Sequence, residues 1–114
     1  MLFKSNGKIL LCSEYLVLEG AKAIALPSKL TQDLQVTKCQ NEIIEWQSFD
    51  ENNDLWFEEK FYFNGNDLKY DSKKNKTSEK ILLLFKFLLE TKDVNDILGN
   101  KFLTKLNFKR EWGL

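Results

Sequence analysis

Apolar residues along the chain follow two different periods, and the change from one to the other divides it. In the first half they come in short runs and in alternation. Ile9-Leu10-Leu11-Cys12, opened by Gly7-Lys8, and Tyr15-Leu16-Val17-Leu18, ahead of a turn at Glu19-Gly20, predict two strands. Ala23-Ile24-Ala25-Leu26 predicts a third, closed by Pro27, which has no N–H to give to a ladder. Leu34-Gln35-Val36-Thr37 alternates cleanly. Ile43 to Phe49 and Leu55 to Phe63 then flank the polar tip Asp50 to Asp54 and predict a long β-hairpin. In its second strand Phe57, Phe61 and Phe63 fall on one face and Trp56, Glu58, Lys60 and Tyr62 on the other, so one side meets a core and one meets water. Asn64-Gly65 predicts a type I′ turn, with a short returning strand at Leu68 to Tyr70.

The second half changes period. Asp71 to Thr77 is lysine-rich and predicts a solvated connector, with Ser78 as the N-cap of the segment after it. Ile81, Leu82, Leu83, Leu84, Phe85, Phe87, Leu88 and Leu89 make the most apolar segment, and its unbranched leucines favour a helix. Its apolar face is wide enough to pack on the sheet and on a second partner surface. Val94, Ile97 and Leu98 predict a short second helix stopped by Gly99. Phe102, Thr104, Leu106 and Phe108 alternate with Leu103, Lys105 and Asn107 as a final strand. Strands, then a helix pair, then a strand predict an α+β fold, an antiparallel or mixed sheet packed by helices, not a regular βαβα alternation.

Composition narrows the function classes. The chain has 114 residues, with 17 basic groups against 17 acidic. One domain fits that length, which is small for a complete metabolic enzyme. Balanced charge argues against a nucleic-acid binder and against a polybasic membrane-surface module. The absence of histidine excludes Ser-His-Asp and Cys-His mechanisms, an HExxH zinc site and a histidine switch within these residues. Cys12 and Cys39 are too few for a disulfide framework and too far apart for a CxxC motif, so two reduced thiols in a cytoplasmic protein are expected. No apolar run has the length of a secretory signal or a membrane span.

Three places carry candidate chemistry. In the first, Gly7 to Gly20, Lys8 stands at the mouth of a strand and can meet a phosphate or a carboxylate, and Glu14 interrupts an apolar stretch. The same residues also read as a solvated lysine and a turn. The second is the tail Phe108-Lys109-Arg110-Glu111-Trp112-Gly113-Leu114, by itself a frayed end with one aromatic ring. The third is the aromatic set Trp46, Trp56, Tyr62 and Tyr70 with Lys60 and Lys69. Interleaved rings and lysines suit single-stranded nucleic acid, but Glu45, Glu58 and Glu59 cancel the charge and favour a cross-strand packing ladder.

The segment Gly7 to Gly20, followed by Ala21-Lys22-Ala23-Ile24-Ala25-Leu26-Pro27, resembles the first signature motif of the GHMP kinases. That superfamily includes galactokinase, homoserine kinase, mevalonate kinase and phosphomevalonate kinase. The resemblance is greatest to the phosphomevalonate-kinase-like branch and to bacterial members grouped by a Gly-Tyr-Asp-Ile-Ala motif. Ser13 departs from the family, which usually has glycine there, and serine is less permissive at positive φ. Beside this motif, Trp112-Gly113-Leu114 resembles the entry to the Gly-Leu-Gly-Ser-Ser loop, which cups ATP phosphates at a helix N-terminus.

The resemblance runs the length of the chain and implies a ribosomal-protein-S5-domain-2-like N-terminal domain with a left-handed crossover. Residues 1–114 would then stop at the start of the phosphate loop, without the C-terminal domain. It implies an ATP- and Mg²⁺-dependent transfer of phosphate to a small acceptor, mevalonate or phosphomevalonate first, in the mevalonate pathway of isoprenoid biosynthesis. Lys8 would be catalytic and touch substrate, Glu14 and Tyr15 would border the acceptor, and Gly113-Leu114 would begin the ATP loop. No metal ligand is assigned within the chain. The fragment alone is expected to be inactive, to hold neither ATP nor Mg²⁺ tightly, and to expose apolar helix surface for self-association. The rival reading, from another class, is a non-enzymatic S5-like domain used for binding or complementation.

Overall fold

The computed structural model describes residues 1–10, 16–20 and 22–112. Its strands are β1 (Leu2–Leu10), β2 (Ala25–Lys38), β3 (Ile44–Phe49), β4 (Leu55–Asn64), β5 (Asp67–Tyr70) and β6 (Asn100–Leu106). Between β5 and β6 come the helices α1 (Lys76–Leu89) and α2 (Val94–Ile97). The strands form one six-stranded sheet in the order β1-β2-β6-β3-β4-β5, with β6 antiparallel to β2 and parallel to β3. The fold is therefore α+β with a mixed sheet, as the order of periods predicts.

Register and alternation sort the side chains onto two faces. Ile44, Phe102, Val36 and Phe61 belong to one face, through the pairs Ile44↔Phe61, Trp46↔Phe102 and Val36↔Phe102. The helices lie on it: Ile81 and Phe85 of α1 and Ile97 of α2 join Ile44, Phe61 and Leu68 in the core. Phe85 is the centre, with its ring centroid 5.3 Å from Phe102, 5.8 Å from Phe61 and 5.9 Å from Trp46. The other face alternates charge across strands, with Lys4↔Asp33↔Lys105 and Lys101↔Glu45↔Lys60 standing opposite in register. The hairpin's division of faces, with Phe57, Phe61 and Phe63 inward, is as expected.

Several local expectations are corrected. β1 begins at Leu2, well ahead of the apolar run, because Lys4 to Asn6 are held by β2 rather than by burial. Pro27 lies inside β2 instead of ending a strand. Among the described residues, residues 25–30 of β2 have β1 on one side and no strand on the other, since β6 pairs with Gln32–Lys38, so a missing donor is tolerated. Leu16–Glu19 forms a 3-10 turn, closed by Gly20 at φ 89°, where a strand was expected. Leu18 there is 87% exposed, and among the described residues no strand pairs with this segment to take up the backbone groups that a strand would present.

Asn64 stays in the ladder opposite Asp67, so the turn centres on Gly65-Asn66. Gly65 at φ 66° is the one centre with positive φ, the type II′ pattern rather than I′. The N-cap of α1 is Asn75, not Ser78: its Oδ1 accepts from the Ser78 amide at 2.8 Å, and Ser78 is fully buried one turn in. β6 ends at Leu106, and Phe108, though buried, lies beyond it. Gly99, at φ 71°, does end α2 as predicted. The aromatic set forms no single ladder: Trp46 and Tyr70 share the helix-covered face, while Trp56 and Tyr62 belong to the other.

Candidate functional site

Of the residues given a role from sequence, Lys8 is described; Glu14, Tyr15, Gly113 and Leu114, with Cys12 and Ser13, lie outside the described residues. Lys8 is exposed near the end of β1, opposite Pro27. The pairing slips here, from Asn6↔Thr31 to Lys8↔Pro27, so β2 spends two more residues than β1 over the same step. The excess is folded by Ser28, whose hydroxyl donates to the Leu30 carbonyl at 3.1 Å and accepts from the Leu30 amide at 3.2 Å. Asn6 fastens it by donating from Nδ2 to the Ser28 carbonyl at 2.7 Å. Irregularities of this kind re-aim a side chain at a sheet edge. Next to a buried Gly7, they leave the Lys8 ammonium on an outer strand, where it can meet an anion from solvent.

A second polar centre escaped the sequence reading. Glu59 is 8% exposed, in β4 between Phe57 and Phe61 on the helix-covered face. Its Oε2 accepts from Ser78 Oγ at 2.9 Å and from Ser72 Oγ, and its Oε1 accepts from the Lys60 amide at 3.2 Å. Beside it Tyr70 donates its hydroxyl to Glu79 Oε1 at 2.6 Å. That hydrogen bond raises the Tyr70 phenol above its ordinary value, and desolvation adds to it. Both carboxylates stand at the first turn of α1, where the helix dipole favours negative charge. The signal for Glu59 was its parity, which puts it in step with Phe57, Phe61 and Phe63. With its oxygens satisfied, the cluster clamps β4, the β5–α1 connection and α1 together.

The third feature is a cleft of about 840 Å³ between α1, α2 and the β1–β2 end of the sheet, with Phe3, Val36, Phe85, Leu88 and Phe102 in its walls. Among the described residues, no group of three or more Asp, Glu or Cys side chains comes together to hold a metal ion. No helix there is long and apolar enough to cross a membrane. Cys39 is a free, half-buried thiol. Comparison with family models, curated proteins and solved structures finds no match to this chain.

Proposed function

We propose that this chain is the N-terminal part of an ATP-dependent small-molecule kinase of the GHMP type, with an S5-domain-2-like fold and a mevalonate- or phosphomevalonate-like acceptor. The reading is carried by the signature-like segment from Gly7 to Gly20, with Lys8 exposed on a strand beside a buried glycine and Gly20 in a left-handed turn. Trp112-Gly113-Leu114 supports it as the lead-in to a phosphate loop. Phosphoryl transfer of this type depends on positioning and on charge stabilisation around Mg²⁺. Lys8 would place a compact positive charge near the transferred group, and Glu14 and Tyr15 would line the acceptor pocket. The exposed Lys8 ammonium suits a phosphate contact. The Mg²⁺ ligands would come from outside the described residues. The chain would work in the cytoplasm, and as a fragment it is inactive.

The deciding observation is the coding sequence directly after Leu114. An in-frame Gly-Ser-Ser segment opening a helix supports the kinase. Any other continuation, with no companion polypeptide beginning that way, replaces it with the non-enzymatic binding or complementing domain, which the open cleft favours. A coupled assay on the 114 residues with ATP and mevalonate or phosphomevalonate should show no ADP release above background. In the extended protein Lys8→Ala should lower kcat by about 10²–10³, the usual cost of losing one group that stabilises developing charge.

A further inference from the structure

We infer that the cleft between α1, α2 and the β1–β2 end of the sheet is a binding site for a small uncharged aromatic molecule carrying one O–H or N–H donor. This stands apart from the kinase reading, which uses none of the cleft's residues. Asn100 carries the inference. It opens β6 and is only 6% exposed. Its Nδ2 donates to the Asp96 carbonyl and to the Ile97 carbonyl, both at 2.9 Å. Carbonyl oxygens only accept, so these contacts fix which end of the amide is nitrogen. Both amide hydrogens are thus taken up by the end of α2, and among the described residues no donor reaches Oδ1. Nor is that oxygen sealed in: among the described residues the one enclosed side-chain atom without a partner is Asp33 Oδ1. Asn100 lines the cleft, so its free acceptor is met from there. Buried polar side chains are normally hydrogen-bonded, and a donor brought in from outside would complete this one.

The walls select what bears the donor. The cleft holds about 840 Å³, inside the range of small-molecule pockets, about 300–1,000 Å³. Such pockets are mainly apolar, with a few polar groups that fix orientation, and here Asn100 is set among Phe3, Val36, Phe85, Leu88 and Phe102. Phe85 and Phe102 already meet edge to face at 5.3 Å, and Phe3 is 49% exposed. A further ring would extend that arrangement and cover Phe3, since aromatic pairs attract beyond the area they bury. Charge does not select the ligand. Lys38 and Lys92 line the cleft together with Asp96, so both signs are present, and the amide oxygen is itself neutral. An uncharged ring system with a single hydroxyl or ring N–H answers all three features.

The probe is 2-naphthol, compared with 2-methoxynaphthalene, which keeps the rings and lacks the donor. Each is titrated into the isotope-labelled 114-residue chain and followed by nitrogen–proton correlation spectra. 2-Naphthol should saturate at one per chain with a Kd of about 10⁻⁴ M, ordinary for so small a ligand. It should move the Asn100 side-chain amide signals and the Phe102 backbone amide. 2-Methoxynaphthalene should bind about tenfold more weakly, the worth of one hydrogen bond, and leave the Asn100 side-chain signals in place. Phe3→Ala, at a side chain already half exposed, should weaken 2-naphthol severalfold while the far-ultraviolet circular dichroism stays unchanged. Asn100→Ala should erase the difference between the two compounds; if losing its contacts to α2 unfolds that variant, the wild-type comparison still decides. Equal binding of both compounds to wild type, binding that leaves the Asn100 signals unmoved, or no saturation, as for a cleft that holds water only, would each overturn the proposal.

Discussion

Phe85 and Phe87 are two phenylalanines two residues apart on one helix, and they should behave as opposites. Phe85 is 1% exposed and Phe87 is 64% exposed. Truncating Phe85 to alanine removes a ring packed against Phe102, Phe61 and Trp46, three aromatic pairs worth about 0.5–1.5 kcal/mol each beyond burial. Buried Phe→Ala changes cost about 3–5 kcal/mol. Phe85 also borders the open cleft, so water can enter part of the void, which favours the lower end, about 3–4 kcal/mol. A chain of this length holds about 6–17 kcal/mol in all, so the loss is a large share. With a urea slope of about 1.5 kcal/mol per molar, the midpoint should fall by about 2 M. Phe87→Ala should stay within about 0.5 kcal/mol, since its ring already meets water. The assay is equilibrium unfolding in urea, read by tryptophan fluorescence, to which Trp46 reports from an edge contact with Phe85 at 5.9 Å. A midpoint shift for Phe85→Ala no larger than that for Phe87→Ala would refute this account of the core.

Other expectations arise from the polar contacts. Glu59→Ala should cost about 2–3 kcal/mol in the same urea experiment, because it strands the fully buried Ser78 hydroxyl. Asn75→Ala should cost about 1 kcal/mol, the usual worth of an N-cap, whereas the cap expected at Ser78 would have left Asn75 neutral. Tyr70 has a folded pKa above 10.0, so its contribution is whole below that pH and is lost as pH rises through the folded value. Alkaline unfolding midpoints should therefore decline more steeply in wild type than in Tyr70→Phe. Asp67, held below 3.8 by the hydrogen bond and charge of Lys86, acts in the reverse sense: its contribution is present above that pH and is lost as pH falls below it. Both groups are exposed, so wild type and Lys86→Ala should differ little in acid unfolding at high salt.

Period carried most of what the sequence revealed. The β3–β4 hairpin, the inward faces of Phe57, Phe61 and Phe63, the helix over Ile81–Leu89 and the stop at Gly99 all come from spacing, which physics ties to burial. What escaped was set by neighbours distant in sequence. β1 starts among Lys4, Ser5 and Asn6 because β2 supplies its hydrogen bonds, and no local pattern announces that. Pro27 sits within a strand because β6 stops short of it. The cap moved from Ser78 to Asn75 because Glu59, nineteen residues back, claims the Ser78 hydroxyl. At the candidate site, Lys8 was legible from its glycine neighbour, while the slip that Asn6 and Ser28 build beside it was not.

The place of β6 sets the order in which this chain can be assembled. β1–β2 is one hairpin and β3–β4–β5 is one meander, and among the described residues no strand pairing joins them except through β6, which enters between β2 and β3. During synthesis the inner edges of β2 and β3 have no partner strand until residues 100–106 are made, and β6 then closes both. Such edges invite pairing with other chains, and a closure that waits for distant segments is slow. β6 is thus a keystone: damage within it should be felt as failure of the two halves to meet.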